Sequence, residues 1–321
     1  MRVFIPDAAV FENPAAFRSL HRLWTRVFRD HHELVVADAE AVLESEFAKQ
    51  GVAPYERIEW EEQVRLGVLD LDYRERMEEP GQAPNRKHVM VVAAAQVPRS
   101  RQCLRTLSAE EVGDWAETPL RLLVENYVDH WLLLGTARVS KSSAEEMTWL
   151  EIAIQDKQLH VDGRGGCGEV WSTLREIPNL TSPDVRLFIM LDSDTSGEGA
   201  DVVKAQQNVK RLVDELHLNT PQQAEVHFHL LTKREVENYV PRALLKSECS
   251  STAAAKRAFR GWDKLTAKQQ DYADIKKLFG KGPMKACMKA MSEGRTFTLA
   301  DLKQRAGEEL SELLDALQER L

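Results

Sequence analysis

The sequence predicts an α/β protein whose strands form a mostly parallel sheet flanked by helices. Short apolar runs alternate with longer helical stretches from about Thr118 to Pro241. One run, Val185–Leu191, has the composition of a fully buried strand. Because a helical crossover usually joins strands that run in the same direction, this alternation indicates βαβ units. Beyond Pro241 the pattern is helical to Leu321, so a helical part follows the sheet.

Composition excludes several classes of protein. Hydrophobic residues make up 43% of the 321 residues, which is enough for about two globular domains and excludes wholesale disorder. No apolar stretch approaches the roughly 18 residues of a membrane span, and the start, MRVFIPDAAV, lacks the features of a secretory signal. The four cysteines form no C-x-x-C pair, which argues against a disulfide framework or a zinc site and predicts a cytoplasmic protein.

Residues 1–117 form a mixed α/β part in which we find no catalytic motif, so we expect a structural or partner-binding role. The predicted strands are Arg2–Ile5, Glu33–Ala37 and His88–Val92, and the predicted helices are Ala16–Phe28 and Asp38–Lys49.

Residues 118–248 carry the stronger pattern, and residues 249–321 form a helical, basic part. The predicted strands between 118 and 248 are Leu120–Val124, Gln158–Val161, Val185–Leu191 and Glu225–Leu231. The helices predicted between them are Asn126–Ala137, Glu169–Arg175 and Glu198–Leu216. The last helix of the chain begins at Thr298 and continues on leucines at helical spacing to Leu321.

Four carboxylates follow two of these strands. Glu125 ends the first strand and Asp129 lies four residues later, one helical turn away. Asp192 and Asp194 end the strand Val185–Leu191 and point the same way if the backbone stays extended. Since ligands bind at the carboxyl ends of parallel strands, we expect one crevice. Such a cluster repels itself unless a hard divalent cation such as Mg²⁺ intervenes, although Asp192 or Asp194 as a simple helix cap is an alternative.

This arrangement resembles a TOPRIM domain, the metal-binding module of topoisomerases, primases and OLD-type nucleases. The segment LTKREVENYVP, Leu231–Pro241, is similar to the signature that follows the last TOPRIM strand in OLD-type nucleases and in the nuclease subunit of PARIS-type anti-phage systems. One departure is Asn126, where many TOPRIM domains have glycine.

The resemblance implies a role for each matching residue. Glu125 matches the catalytic glutamate; Asp129, Asp192 and Asp194 match metal ligands; and Glu237 matches the acidic residue that completes a second metal site. Lys281 lies in a setting similar to the lysine that some OLD-type nucleases place near the scissile phosphate, with Lys276 and Lys277 as competitors.

A basic stretch accompanies the acidic site. From Ser251 to Ala300 there are 11 Lys or Arg against 4 Asp or Glu, whereas the whole chain carries −8. This local excess predicts a polyanion track that includes Lys276, Lys277 and Lys281, although solvated helix faces would give the same composition.

Together these features predict a Mg²⁺- or Mn²⁺-dependent endonuclease that hydrolyses DNA or RNA, tRNA included, by two-metal chemistry. The resemblance implies anti-phage defence with a separate ATPase partner, because this chain lacks a G-x-x-x-x-G-K-[ST] loop. Whether the chain self-associates is left open. One alternative is a non-catalytic TOPRIM-fold subunit that binds nucleic acid or the ATPase.

Other motifs support weaker alternatives. The segment GRGGCG, Gly163–Gly168, has the form of a dinucleotide-binding loop, but the strand before it is short and polar. LDSDTSG resembles the start of haloacid-dehalogenase-type phosphatases, with Asp271 and Asp274 as the nearest later acidic pair. His227 and His229 share a strand face, but no third zinc ligand is evident.

Overall fold

The computed structural model describes residues 2–28, 32–67, 88–92, 105–141, 147–182, 185–197, 201–219, 225–249, 253–294 and 296–321. In these ranges the chain forms two four-stranded sheets, and every strand pair in both sheets is parallel. Helices flank both sheets, so the predicted α/β class with a mostly parallel sheet is confirmed. None of the described helices combines the length and apolar composition needed to cross a membrane.

The first sheet belongs to the part predicted as mixed α/β. Its strands are β1 (Arg2–Ile5), β2 (Glu33–Val36), β3 (His88–Val92) and β4 (Arg105–Ser108), in the order β2-β1-β3-β4. The helices beside it are α1 (Phe17–Phe28), α2 (Ala39–Leu43), α3 (Glu46–Gln50), α4 (Arg57–Leu66) and α5 (Val112–Glu117). The single helix predicted over Asp38–Lys49 is wrong: the buried hydroxyl of Ser45 caps a new helix by accepting the Ala48 N–H.

The second sheet carries the candidate site. Its strands are β5 (Leu120–Val124), β6 (Leu159–Gly163), β7 (Arg186–Leu191) and β8 (Glu225–Leu230), in the order β6-β5-β7-β8. All six residues of β7 are buried, as predicted for a central strand covered on both faces. The helices between these strands are α6 (His130–Val139), α7 (Trp149–Gln155), α8 (Cys167–Glu176) and α9 (Lys204–Asn219).

The two faces of this sheet pack against different helices, because side chains alternate along each strand. Leu187 and Ile189 face α8 and α9, where they contact a cluster that includes Val209. Phe188 and Met190 face the opposite side, which α6 and the C-terminal helices cover. The central strands β5 and β7 are therefore buried between two layers of helices.

The C-terminal part is helical, as predicted. Its helices are α10 (Arg242–Cys249), α11 (Ala253–Trp262), α12 (Ala267–Asp271), α13 (Ile275–Phe279), α14 (Lys281–Ser292), α15 (Leu299–Ala306) and α16 (Glu309–Gln318). The single last helix predicted from Thr298 is wrong, because Gly307 adopts a left-handed φ of 64° and separates α15 from α16.

Two cysteines that are distant in sequence meet in this helical part. The Sγ atoms of Cys249 and Cys287 lie 3.4 Å apart as buried free thiols between α10 and α14. Cys167 is also a free thiol, and Cys103 lies outside the described residues.

Polar contacts connect the two sheets near their sequence junction. The indole N–H of Trp115 in α5 donates to Glu225 Oε2 at 2.8 Å, at the start of β8. The buried guanidinium of Arg186 lies 5.0 Å from the centre of the Trp115 ring and pairs with the same glutamate. These contacts lie at the amino ends of β7 and β8, so the carboxyl ends remain away from the junction.

Candidate functional site

Four buried carboxylates meet at the carboxyl ends of three neighbouring strands. Glu125 follows β5, Asp192 follows β7, and Glu237 lies in the turn Val236–Tyr239 after β8. Asp129 closes the turn Tyr127–Asp129 immediately before α6. Their exposed fractions are only 3–7%: 7% for Glu125, 3% for Asp129, 5% for Asp192 and 5% for Glu237. We call these four residues the carboxylate cluster. The structure thus brings together four of the five acidic residues predicted from the sequence.

Backbone N–H groups orient the members of the cluster. The Asp192 N–H donates to Glu125 Oε1 at 3.1 Å, which joins the ends of β5 and β7. The Val236 N–H donates to Asp192 Oδ1 at 2.8 Å, which joins β7 to the turn after β8. The Asn126 N–H donates to Asp129 Oδ2 at 2.6 Å. These bonds orient three of the four carboxylates.

The glycine-rich segment Gly163–Gly168 holds the backbone next to the carboxylate cluster. The N–H groups of Gly165 and Gly166 both donate to the carbonyl oxygen of Glu125, at 2.6 and 3.0 Å. Gly163 lies so close to Tyr127 that a Cβ there would come within 2.3 Å of the Tyr127 nitrogen. A dinucleotide-binding glycine loop follows the first, central strand of its sheet, whereas β6 is an edge strand. The loop therefore has the geometry of a tight turn that holds Glu125.

Asp194 is placed differently from the other predicted ligands. Its φ of 52° is left-handed, so the backbone does not stay extended through Asp192–Asp194 and the two carboxylates do not align as a simple strand would place them. The Asp194 N–H donates to the Arg234 carbonyl at 2.9 Å, which stabilises this turn. Its side chain is exposed, and Oδ2 accepts from Gln206 Nε2 at 3.3 Å. Asp194 therefore lies at the solvent edge of the cluster.

Two residues from distant helices contact the site: Gln206, which the sequence analysis did not single out, and Lys276, which it predicted to bind nucleic acid. Gln206 of α9 is fully buried and also donates to the Asp192 carbonyl at 2.7 Å. Lys276 of α13 places Nζ 3.1 Å from Glu237 Oε1 and 3.5 Å from Glu235 Oε2. Nothing in the local sequence signals either contact, because both residues come from helices distant along the chain.

The three lysines predicted to bind nucleic acid occupy different environments. Lys276 is half-buried and its ammonium is paired within the protein, so it does not lie on an open surface. Lys277 and Lys281 are exposed, at the last turn of α13 and the first residue of α14.

The signature segment Leu231–Pro241 is held by a separate polar network. The Tyr239 hydroxyl donates to Glu309 Oε2 at 2.6 Å and accepts the Lys233 N–H at 3.1 Å. Asp271 pairs with Lys233 and Arg305, and Asp274 caps α13. His229 lies 3.2 Å from Glu309. The later acidic pair required by the phosphatase interpretation therefore has structural partners away from Asp192.

Burial and mutual repulsion change the protonation of the cluster. Burial raises the pKa of Glu125 to about 7, and the charge of Asp194 adds to this effect. Burial likewise raises the pKa of Asp129 to about 7, with further contributions from Glu237 and Glu125. The pKa of Asp192 is raised by burial and by the three other members of the cluster. Near neutral pH the metal-free cluster therefore retains protons.

Lys276 opposes this repulsion. Burial disfavours its charged form, but Glu237, Glu235 and Asp192 outweigh burial and raise the pKa of the Lys276 ammonium. Even so, Glu237 Oε2 is buried and has no hydrogen-bond partner within the described part of the chain. The cluster is thus only partly neutralised by the protein's own groups.

Comparisons with protein families, with curated proteins and with solved structures find no match to this chain. The interpretation of the candidate site therefore rests on the geometry of its residues. In the described ranges, no three His, Cys, Asp or Glu side chains are arranged as ready metal ligands. Backbone N–H groups occupy one oxygen each of Asp129 and Asp192, and Glu237 pairs with Lys276.

Proposed function

We propose that this chain is a divalent-metal-dependent nuclease of the TOPRIM type that hydrolyses phosphodiester bonds. The observation that carries the proposal is the convergence of Glu125, Asp192 and Glu237 from the ends of three neighbouring parallel strands, joined by Asp129. A protein that needed these residues only for stability would gain little from burying four acids together, because each desolvated charge raises the cost of the next.

The donor set fits a hard divalent cation. Carboxylate oxygens are the ligands that Mg²⁺ and Mn²⁺ prefer, and the unpartnered Oε2 of Glu237 is available to one. Asp129, Asp192 and Glu237 would hold the ions, with Asp194 at the solvent side. Bound ions, two in the proposed mechanism, would polarise the phosphate and lower the pKa of an attacking water.

The protein's own residues would supply positioning and proton transfer. Glu125 either ligates an ion or acts as general acid or base, since a carboxyl with a pKa of about 7 exchanges protons readily at neutral pH. The glycine turn and the Asp192 N–H fix its orientation. Lys281, at the start of α14, would assist near the scissile phosphate, and Lys277 would contact the substrate. We further propose a role in anti-phage defence with a separate ATPase.

The direct test is Asp192→Asn, which keeps an oxygen acceptor for the Val236 N–H but removes the charge. Labelled plasmid, single-stranded DNA and total tRNA would be incubated with Mg²⁺ or Mn²⁺. We expect wild-type cleavage of at least one substrate and a loss of at least 100-fold in the variant, on the order of one removed charge-stabilising contact. Asp156→Asn, at an exposed aspartate, is the matched control. Cleavage by Asp192→Asn at the wild-type rate would refute the assignment.

A non-catalytic nucleic-acid- or partner-binding subunit is the second candidate function, because the described residues present no ready set of three metal ligands. Calorimetric titration with Mn²⁺ separates the two. Binding that Asp192→Asn abolishes supports the nuclease, whereas no binding up to millimolar Mn²⁺ favours the subunit.

A further inference from the structure

An exposed aromatic ring stands beside the carboxylate cluster. Tyr127 lies between Glu125 and Asp129 in the chain, and 58% of it is exposed. Its backbone is tightly held, since Gly163 packs directly against it and its carbonyl oxygen accepts a hydrogen bond from the His130 ring. The His130 ring contacts the tyrosine ring edge-on, with centroids 4.6 Å apart. Tyr127 is thus a positioned aromatic group that still offers surface to a ligand.

A row of lysines follows the exposed face of α14. Lys281, Lys285 and Lys289 are spaced four residues apart, so they lie on one side of the helix, and all three are exposed. Met284, Met288 and Met291 occupy the buried side. Among the described residues, none of these lysine ammonium groups makes an ion pair. The row is about 12 Å long, so each of its three ammonium groups can meet a different phosphate of one extended strand.

Both features adjoin the turn Tyr127–Asp129. Helix α14 contacts the turn Tyr127–Asp129. Lys281 lies five residues after Lys276 in the chain, and the Lys276 ammonium contacts Glu237. An aromatic platform and a row of cations beside one another are the two components by which proteins bind single-stranded nucleic acid without sequence preference.

We propose that this surface binds unpaired nucleotides, with a base stacked on Tyr127 and phosphates contacted by Lys281, Lys285 and Lys289. The proposal rests on the nuclease function and specifies its substrate as single-stranded or locally unpaired DNA or RNA. In a duplex each base is already stacked and paired, so the Tyr127 ring reaches a base only where the strand is open.

The aromatic contact is tested by fluorescence anisotropy with labelled single-stranded DNA and RNA oligonucleotides and their duplexes, in EDTA so that no cleavage occurs. Tyr127→Ala should weaken single-strand binding roughly 5- to 150-fold, the range of one lost base stack, and leave duplex binding unchanged. Tyr127→Phe should retain the affinity, because it keeps the ring. Tyr55→Ala, at a tyrosine that is 79% exposed beside the first sheet, is the control.

The lysine row is tested by changing Lys281, Lys285 and Lys289 together to Ala. The slope of log K against log salt for single strands should become shallower by about 2, which corresponds to three lost phosphate contacts. The control changes Arg175 of α8 together with Lys210 and Arg211 of α9, which removes the same charge from the helix layer on the opposite face of the sheet. Equal slopes in the two triple variants, or undiminished single-strand binding by a folded Tyr127→Ala, would overturn the proposal.

Failure of the single-strand-binding proposal can be distinguished from failure of the nuclease proposal. Binding that depends on Tyr127, without metal-dependent cleavage of any substrate, would leave this surface established and refute the nuclease. Cleavage that requires Asp192 but is confined to duplexes, and is unaffected in Tyr127→Ala, would support the nuclease and refute single-strand binding by this surface.

Discussion

At the scale of single residues, Lys276 supplies an ion pair to the carboxylate cluster through Glu237. Lys276→Met removes the charge beside Glu237 and leaves that buried glutamate without its ion pair. We expect the free energy of unfolding in EDTA at neutral pH to fall by about 1–3 kcal/mol, the usual cost of an unsatisfied buried polar group. The increase in melting temperature on adding Mg²⁺ should become larger, because the Lys276 ammonium no longer competes with the ion for Glu237.

Lys277→Met is the matched control for this prediction, since Lys277 is the exposed neighbour in the same helix. Differential scanning fluorimetry with and without Mg²⁺ makes both measurements. An equal effect in the two variants would show that general charge, and not the contact with Glu237, is responsible.

The sequence predicts some residues of the site much better than others. Glu125 and Asp192 follow apolar runs, and strand ends are where a parallel sheet collects its ligands. The turn at Asp194 could not be predicted, because its left-handed φ is stabilised by the distant Arg234 carbonyl. The contacts of Gln206 with Asp192 and of Lys276 with Glu237 could not be predicted either, since they depend on how α9 and α13 pack.

At the scale of elements, the glycine turn between β6 and α8 controls where Glu125 and Asp129 lie. Gly163→Ala would place a Cβ 2.3 Å from the Tyr127 nitrogen, so the turn Tyr127–Asp129 must move. We expect at least a 10-fold loss of metal-dependent cleavage and a lower melting temperature, since a displacement of about 1 Å at an active site is sufficient for such losses.

Gly168→Ala in α8 is the comparison, because no atom lies within 4 Å of a Cβ there. Alanine is favoured over glycine in a helix by roughly 0.5–1 kcal/mol, so this variant should be as stable as wild type or more so. Normal activity in Gly163→Ala would mean that the turn tolerates displacement and does not position the carboxylates.

Elements with strong hydrophobic patterns were predicted with nearly correct limits, and weakly patterned ones were missed. Leu120–Val124 and Arg186–Leu191 are apolar enough to identify on their own. β4 has the sequence RTLS, with one large apolar residue, and becomes a strand because it pairs with β3. Helix breaks at Ser45 and Gly307 depend on capping and on a left-handed φ, which periodicity does not report.

At the scale of the whole molecule, the cluster predicts how stability depends on pH. The pKa values of Glu125 and Asp129 are raised to about 7 in the folded protein, whereas unfolded carboxyls titrate near 4. A raised carboxyl pKa means that the folded state binds protons more tightly, so its contribution to stability is complete below about pH 4 and is lost as pH rises through 7. In EDTA, the free energy of unfolding should therefore decrease between about pH 5.5 and pH 8.

Urea denaturation at several pH values measures this slope. The double variant Glu125→Gln, Asp129→Asn should make the slope shallower, because neither side chain then titrates and Asp192 alone remains of the three cluster carboxyls whose pKa is raised. Mg²⁺ should reduce the wild-type slope, since a bound cation stabilises the ionised carboxylates. Stability that rises from pH 5.5 to 8 in EDTA would contradict the protonation states inferred for the cluster.

The ion pair between Lys276 and Glu237 also bears on whether folding requires a bound metal ion. Many small metalloproteins remain unfolded until their ion arrives, because nothing else offsets the ligands' charges. Here an ammonium supplied by α13 and protons on the carboxyls offset part of that charge, and extensive apolar cores surround both sheets. The chain should consequently fold whatever the concentration of divalent ions, and the proposed nuclease would bind its ions after folding. A chelator should abolish the proposed cleavage activity without unfolding the protein.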